Sequence, residues 1–336
     1  MSFNTIIALP LLIAFTLCNL ATPIMANSRS ICTSPVPGNK GDLLSVIDSY
    51  WTEGNFGTPE FGNSDIALIY LQSTLLIANS TYKKGLKGIQ FNEKPTDDLI
   101  NIYFFKNDPQ ECFQDLIDNC TFMGIMNIVI CDLHFIKKIQ TPPMSLEDLT
   151  LEYPDKGSDS ERVKKIIIDA WVQWSKDTVL WLLGHEIGHI VHSHGERHFM
   201  SVSAKGKLED TVLSPTFKKE EEEADTFAVD VIKSTQLASR YFQAINAFVT
   251  NMGKEILDAQ GVKRSFVNGK DPLYLPVRVR DKKFIPPPFY RAVLINKQLC
   301  ALPELNGPSH CTYYNDIYSR IHFISHDDYK TKFKKD

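Results

Sequence analysis

His185-Glu186-Ile187-Gly188-His189 lies inside an apolar run from Val179 to Val191, and this feature limits what the chain can fold into more than any other. On a helix, residues four apart share a face, so the two imidazoles project together. That arrangement suits two corners of a tetrahedral zinc site, which takes neutral imidazole nitrogens at about 2.0–2.1 Å. Glu186 follows roughly 100° further round the helix, too close in sequence to be a third corner on that face but within reach of a water held on the metal. The plainer alternative is an amphipathic core helix that merely carries histidines. Against it stands the cost of burying two adjacent polar side chains, and a third one turn later, without a partner. A metal ion satisfies all three.

A second segment, Phe217 to Ile232, has helical periodicity, with an apolar face formed by Ala224, Phe227, Ala228, Val231 and Ile232. Extending that face backwards by three and four residues reaches Glu221 and Glu220, whereas Glu222 and Glu223 point elsewhere. A carboxylate where the pattern expects an apolar residue needs a partner, and an ion already held by two histidines is one. The competing account makes Glu220–Glu223 a solvated acidic first turn favoured by the helix dipole. Periodicity leaves the choice between Glu220 and Glu221 open.

Taken together, His185-Glu186-Ile187-Gly188-His189, with His194 five residues further on, and Glu221-Glu222-Glu223-Ala224-Asp225 resemble the paired motifs of the gluzincin zinc metallopeptidases. The resemblance is closest to the HtpX and CAAX-prenyl-protease type (HExxH…ExxxD) and covers roughly Trp174 to Lys233. It implies that His185, His189 and Glu221 bind one zinc ion and that Glu186 is the catalytic base. Asp225 becomes a carboxylate that orients a ligand histidine. Relatives of this type often supply a further side chain from beyond the glutamate helix to stabilise the transition state; His310, Tyr313 and Tyr314 are the candidates, with Arg320 behind them. His192 shares the face of His185 and His189 and is a candidate to compete as a ligand or to shape the cleft. The many membrane spans of such enzymes find no counterpart after residue 28, where no uncharged apolar run is long enough.

The 336-residue chain has a formal net charge of −4, which gives no bias towards nucleic acid or other polyanions. No repeat of solenoid period and no glycine-rich phosphate loop is present. Residues 1–26 have the apolar stretch and small-residue exit of a secretory signal peptide, with Ala26 as the cleavage point, although the usual positive start is missing. The alternative is a membrane anchor formed by residues 6–26, the only route by which a membrane enters the expectation. Removing Cys18 with the signal leaves Cys32, Cys112, Cys120, Cys131, Cys300 and Cys311, an even set compatible with three disulfides in an oxidising compartment. Cys300–Cys311 and Cys112–Cys120 are the natural local bridges. Asn79-Ser80-Thr81 and Asn119-Cys120-Thr121 are glycosylation sequons in a eukaryotic host.

Between the signal and the motif, Cys32 to Gly62 reads as extended loop with a helical stretch around Leu43–Trp51. Gly88–Asn92, Leu99–Lys106 and Met126–Ile139 read as strands, Ile66–Ala78 as strand or helix, and Gln140–Ser160 as a linker. An edge strand within Met126–Ile139 is the candidate to hold a substrate by strand addition. Ser158 to Ser160 offer N-caps for a helix that either continues into the motif or breaks near Ser175–Asp177, and Gly195 offers its C-cap. The expected organisation is a signal peptide over 1–26, a sheet-bearing part over 27–157, and a helical zinc-peptidase part over 158–336 with a disulfide-containing tail. The fold class is α+β and zincin-like, a mixed sheet followed by an active-site helix and a glutamate-bearing helix. The function expected is an exported zinc-dependent endopeptidase acting on polypeptides; the alternative is a catalytically silent exported zinc-binding or interaction protein.

Overall fold

The segments Leu99–Phe105 and Ile128–Asp132 are apolar at nearly every position, the pattern of strands buried on both faces. In the computed structural model of the protein they lie side by side at the centre of a sheet. The structure describes residues 40–106, 120–123, 127–141, 158–194, 215–245, 272–280, 283–285, 288–300, 302, 305 and 308–333. Residues 1–26, Cys32, Cys112, Asn119 and Gly195 lie outside these, so the expectations placed on them concern residues not described.

In chain order the elements are α1 (Lys40–Thr52), α2 (Ser64–Ser80), β1 (Gly88–Phe91), β2 (Leu99–Phe105), β3 (Cys120–Phe122), β4 (Ile128–Asp132), α3 (Leu133–Ile139), α4 (Ser158–Val191), α5 (Pro215–Ser234), β5 (Leu273–Arg280), β6 (Lys283–Ile285), α6 (Pro288–Leu299), α7 (Pro308–Arg320), β7 (Ile321–Ser325) and α8 (His326–Phe333). A further helical stretch covers 238–245. The first sheet runs β1-β2-β4-β3, with β1, β2 and β4 parallel and β3 antiparallel to β4. A second, three-stranded sheet runs β6-β5-β7. The fold is thus α+β, and the C-terminal part contributes strands where the sequence suggested helices alone.

Alternation along the central strands sorts their side chains into two layers. Ile100, Ile102 and Phe104 of β2 and Val129 and Cys131 of β4 face a core shared with Tyr70 of α2, Trp181 of α4, Phe227 of α5 and Val293 of α6. Tyr103, Phe105, Ile128 and Ile130 face the other way, onto Leu43, Val46, Ile47 and Tyr50 of α1. One helix therefore covers one face of the sheet, and the helices that carry the motifs cover the other.

Three local expectations are corrected. Ile66–Ala78 is helical: Asn63 caps α2, its side chain accepting from the Asp65 and Ile66 amides at 2.9 and 3.1 Å. The apolar run Met126–Ile139 is not one strand. It breaks at Asp132, whose carboxylate accepts from the His134 amide at 2.8 Å and starts α3. The helix beginning at Ser158 does not break near Ser175–Asp177, where Asp177 and the neighbouring Thr178 have tertiary partners. Arg240 donates to Asp177 at 2.6 Å, and Thr178 donates to the Ala244 carbonyl at 3.1 Å. α4 therefore runs unbroken from Ser158 to Val191, so Ser158–Ser160 fall within its first turn. From Val179 onwards its residues are buried on nearly every side, as a helix at the centre of a core must be.

Among the described residues two disulfides are present, Cys300–Cys311 and Cys120–Cys131. The second replaces the expected Cys112–Cys120 bridge, because Cys120 and Cys131 stand directly opposite each other on antiparallel β3 and β4. Both fit an oxidising compartment. Among the described residues no helix is long and apolar enough to cross a membrane. Asn79, the acceptor position of the first sequon, is half-buried and hydrogen-bonded. Its amide donates to the Leu86 carbonyl at 2.7 Å and accepts from the Leu86 N–H at 2.8 Å, closing the loop after α2. Peptide mapping without reduction is expected to recover Cys120 cross-linked to Cys131. Recovery of a Cys112–Cys120 peptide instead would contradict the β3–β4 register.

Candidate metal centre

Gly188 determines how the two motif helices meet. A Cβ at that position would lie 2.8 Å from the Ala224 Cα and 2.9 Å from its carbonyl oxygen, so α4 and α5 approach backbone to backbone. Gly184, one turn earlier, leaves the space that the Tyr70 hydroxyl occupies. Ala224 stands three residues after Glu221 and one before Asp225. The contact therefore brings both acids under the histidines of α4.

The result is a buried cluster. His185 Nε2 lies 3.0 Å from His189 Nε2 and 3.3 Å from a Glu221 carboxylate oxygen, whose second oxygen is 3.4 Å from His189 Nε2. The Glu186 carboxylate stands 3.9 Å from His185 Nε2. Asp225, expected to orient a ligand histidine, lies 2.8 Å from His185 Nδ1. Glu220 is buried too, but the carboxylate that meets both histidines is Glu221.

Arg291, not among the candidates named from the sequence, closes the site from α6. Its guanidinium donates to the Asp225 carboxylate at 3.0 Å and stands 3.4 Å from Glu221. The signal was present: on α6, Ala292, Ile295 and Leu299 form a buried stripe, and Arg291 falls four residues before Ile295. A cation on an apolar face calls for a buried partner just as Glu221 does on α5.

Of the other residues singled out, His310 lies in α7. Tyr313 packs edge-on against Tyr314, whose ring rests on Phe242, and this packing does not join it to the cluster. Burial pushes the Tyr313 hydroxyl up to about 12. His192 stacks on His194 and meets the edge of Tyr82. α4 ends earlier than Gly195 suggested: Ser193 takes the left-handed conformation, φ 55°, and turns the chain. His194 thereby returns to the site, with Nδ1 2.8 Å from His189 Nδ1 and Nε2 2.9 Å from the Glu223 carboxylate.

Placing the protons shows what the cluster lacks. A neutral imidazole carries one N–H. Asp225, a carboxylate, only accepts, so the proton of neutral His185 lies on Nδ1 and its Nε2 presents a lone pair. Glu223 likewise takes the N–H of His194 Nε2, leaving His194 Nδ1 as an acceptor. His189 then donates from Nδ1, and its Nε2 also presents a lone pair. In this neutral form two bare nitrogens and a carboxylate face one point, an arrangement that repels itself unless a proton or a metal ion lies between them.

Charge points the same way. Burial would raise Glu221, but Arg291 and then the two histidines hold it well below the usual carboxylate range. Asp225 is also held low, against burial, by Arg291 and His185. Burial and Arg291 oppose a proton on His185, yet Asp225 and Glu221 outweigh them and raise it to about 9. Burial, only partly offset by Glu223, brings His194 down to about 4, so it is neutral. Without a metal ion the proton on His185 offsets part of the negative charge. Once the imidazoles are neutral, as metal ligation requires, the ionised forms of Glu186, Glu221 and Asp225 stand against Arg291, an excess of two negative charges. His185, His189 and Glu221 can together hold a metal ion, and a divalent ion would balance that excess. His192, His194 and Glu223 also gather three potential ligand atoms, but there both ring nitrogens of His194 are already engaged.

No family model, curated protein or solved structure matches this chain. The chemistry of the site alone therefore carries its function.

Gly188→Ala is expected to force α4 and α5 apart, at a cost of about 1–3 kcal/mol for overpacking a close contact. It should also move Glu221 away from the histidines. Thermal melting and metal content by elemental analysis should both fall. Wild-type values for both would mean the helices do not touch at this point.

Proposed function

We propose that the protein is a zinc-dependent peptidase in which His185, His189 and Glu221 hold the metal and Glu186 is the general base. The observation that carries the reading is the spacing of the bare donor atoms. Ligands at about 2.0–2.1 Å in a tetrahedral shell stand roughly 3.3 Å apart, and here the separations are 3.0, 3.3 and 3.4 Å. Three protein ligands leave a fourth position open, as in catalytic rather than structural zinc sites. Two imidazoles with one carboxylate are a donor set that zinc accepts.

When bound, zinc supplies Lewis acidity and lowers the pKa of water towards about 7. The side chains around it supply the rest. Glu186 is buried beside the cluster, and burial raises its carboxyl above the ordinary range against the pull of His185 and His189. That is the direction a base working near neutral pH requires. Its carboxylate takes a proton from the attacking water and returns it to the leaving amine. Arg291 and Asp225 keep His185 oriented and Glu221 ionised.

The architecture expected for such an enzyme is zincin-like, a sheet whose edge strand borders the active-site helix. β4 has β2 and β3 on either side, so the edge expected within Met126–Ile139 falls instead at β3. That strand packs beside α4 and is tied to β4 by the Cys120–Cys131 bridge. We assign to it the binding of an extended polypeptide by strand addition, which favours an endopeptidase. The two disulfides accord with an exported protein.

Glu186→Gln separates catalysis from metal binding, because it preserves size and leaves the three ligands in place. Zinc content and melting temperature should stay near wild type, while cleavage of a casein-type substrate falls on the order of 10²–10⁴-fold. Retained cleavage at full zinc occupancy would exclude Glu186 as the base. Full zinc occupancy without cleavage in either protein would support the catalytically silent alternative.

A further inference from the structure

His189 has no carboxylate of its own behind it, unlike His185. What stands behind it is His194, returned to the site by the left-handed turn at Ser193, and behind His194 stands Glu223. We propose that His194 and Glu223 form a positioning relay that fixes His189 as the tautomer able to bind the metal. The proposal rests on His189 being a metal ligand, and not on the protein being a peptidase.

The reasoning follows the direction of the hydrogen bonds. Only one proton fits between two ring nitrogens 2.8 Å apart. If it belongs to His189, then His189 Nε2 is bare and ligates. If it belongs to His194, then His189 carries its own proton on Nε2, facing Glu221 and His185, and the metal is excluded. Glu223 decides between these states because it can only accept. It takes the His194 Nε2–H at 2.9 Å, and that choice dictates acceptance at Nδ1. Lys219, 3.5 Å from the other Glu223 oxygen, favours the carboxylate form. The relay is built by the same short stretch of α5 that supplies the ligand Glu221, so one helical turn provides the ligand and sets the proton of its neighbour. His192 serves by packing, its ring stacked on His194 and met by the edge of Tyr82.

Ligand-orienting partners of this kind typically carry about 10–100-fold in metal affinity. The test measures zinc affinity of the full chain by competition with a chromophoric chelator, with melting of each variant as a folding control. His194→Leu should weaken zinc binding by about 10–100-fold. His194→Asn should bind nearly as the wild type, because its amide oxygen can occupy the position of Nδ1 and accept from His189. Glu223→Lys presents donors only, so it reverses the relay and should weaken binding to a similar degree. In the His194→Asn background, however, Glu223→Lys should have little effect. A simple charge repulsion between the introduced ammonium and the metal ion would persist in that background, and its persistence would overturn the relay. Histidine-labelled, zinc-loaded protein gives a direct reading by long-range ¹H–¹⁵N spectroscopy. His189 should carry its proton on Nδ1 and His194 on Nε2; a proton on His194 Nδ1 would overturn the proposal. Should the wild-type chain bind no zinc, the metal-site reading itself fails and the relay fails with it.

Discussion

The site depends on the approach of two helix backbones at Gly188 and Ala224. Gly188 precedes His189 by one residue and follows His185 by three, while Ala224 precedes Asp225 by one and follows Glu221 by three. A single contact therefore sets both the His185–Asp225 and the His189–Glu221 distances. Any side chain at position 188 would meet main-chain atoms of Ala224, which cannot rotate away. The fit continues one turn earlier on the same face of α4, where Tyr70 fills the space above Gly184. The histidines are thus aimed by packing before any electrostatic term acts.

Electrostatics then makes this packing costly without an ion. Burying an unpaired carboxylate is among the most expensive things a fold can do, and here Glu186, Glu221 and Asp225 are all nearly inaccessible. Arg291 offsets part of the cost and comes from α6, far downstream of Glu221 in sequence, so the site cannot be assembled from the two motif helices alone. This explains why the C-terminal part is packed into the same core as α2 and the sheet and does not form a separate tail. It also explains why the excess negative charge is held in a region with little water, where its attraction for a cation is strongest.

Much of this was legible in the chain. The shared face of His185 and His189 on α4 follows from a four-residue spacing, and Glu221 from an apolar stripe interrupted by a carboxylate, with the motif resemblance needed to separate it from Glu220. The strands β1 and β2 follow from apolar runs bounded by turn residues. What was not legible depends on partners distant in sequence. An apolar run says nothing of its own bend, so Asp132 hid the change from β4 to α3. The polar residues of Ser175–Asp177 suggest a helix break until Arg240 is seen to hold Asp177, and the Ala244 carbonyl the neighbouring Thr178. Cysteine spacing made Cys112 the nearer partner of Cys120, whereas strand register placed Cys131 opposite it. Arg291 escapes any reading that tests apolar helix faces for misplaced acids but not for misplaced cations.

The glutamate run illustrates how position decides the role of identical residues. Read as a solvated acidic turn, Glu220–Glu223 would owe its presence to the dipole at the start of a helix, an effect confined to the first turn. α5 begins at Pro215 and has no acidic residue in its first turn, so that account does not apply. The four side chains instead diverge around the helix. Glu220 is buried, Glu221 faces the histidines, Glu222 is exposed, and Glu223 reaches His194. With Asp225 behind His185, acids at three alternate positions of one short segment meet the histidines in three ways: Glu221 beside the Nε2 atoms of His185 and His189, Asp225 at His185 Nδ1, and Glu223 one imidazole removed from His189. His185 is thus backed by a charge that Arg291 partly neutralises, and His189 by a neutral ring. The two histidines of the motif thus stand in unequal surroundings although the motif writes them alike, and the one backed directly by a carboxylate is the one next to Glu186.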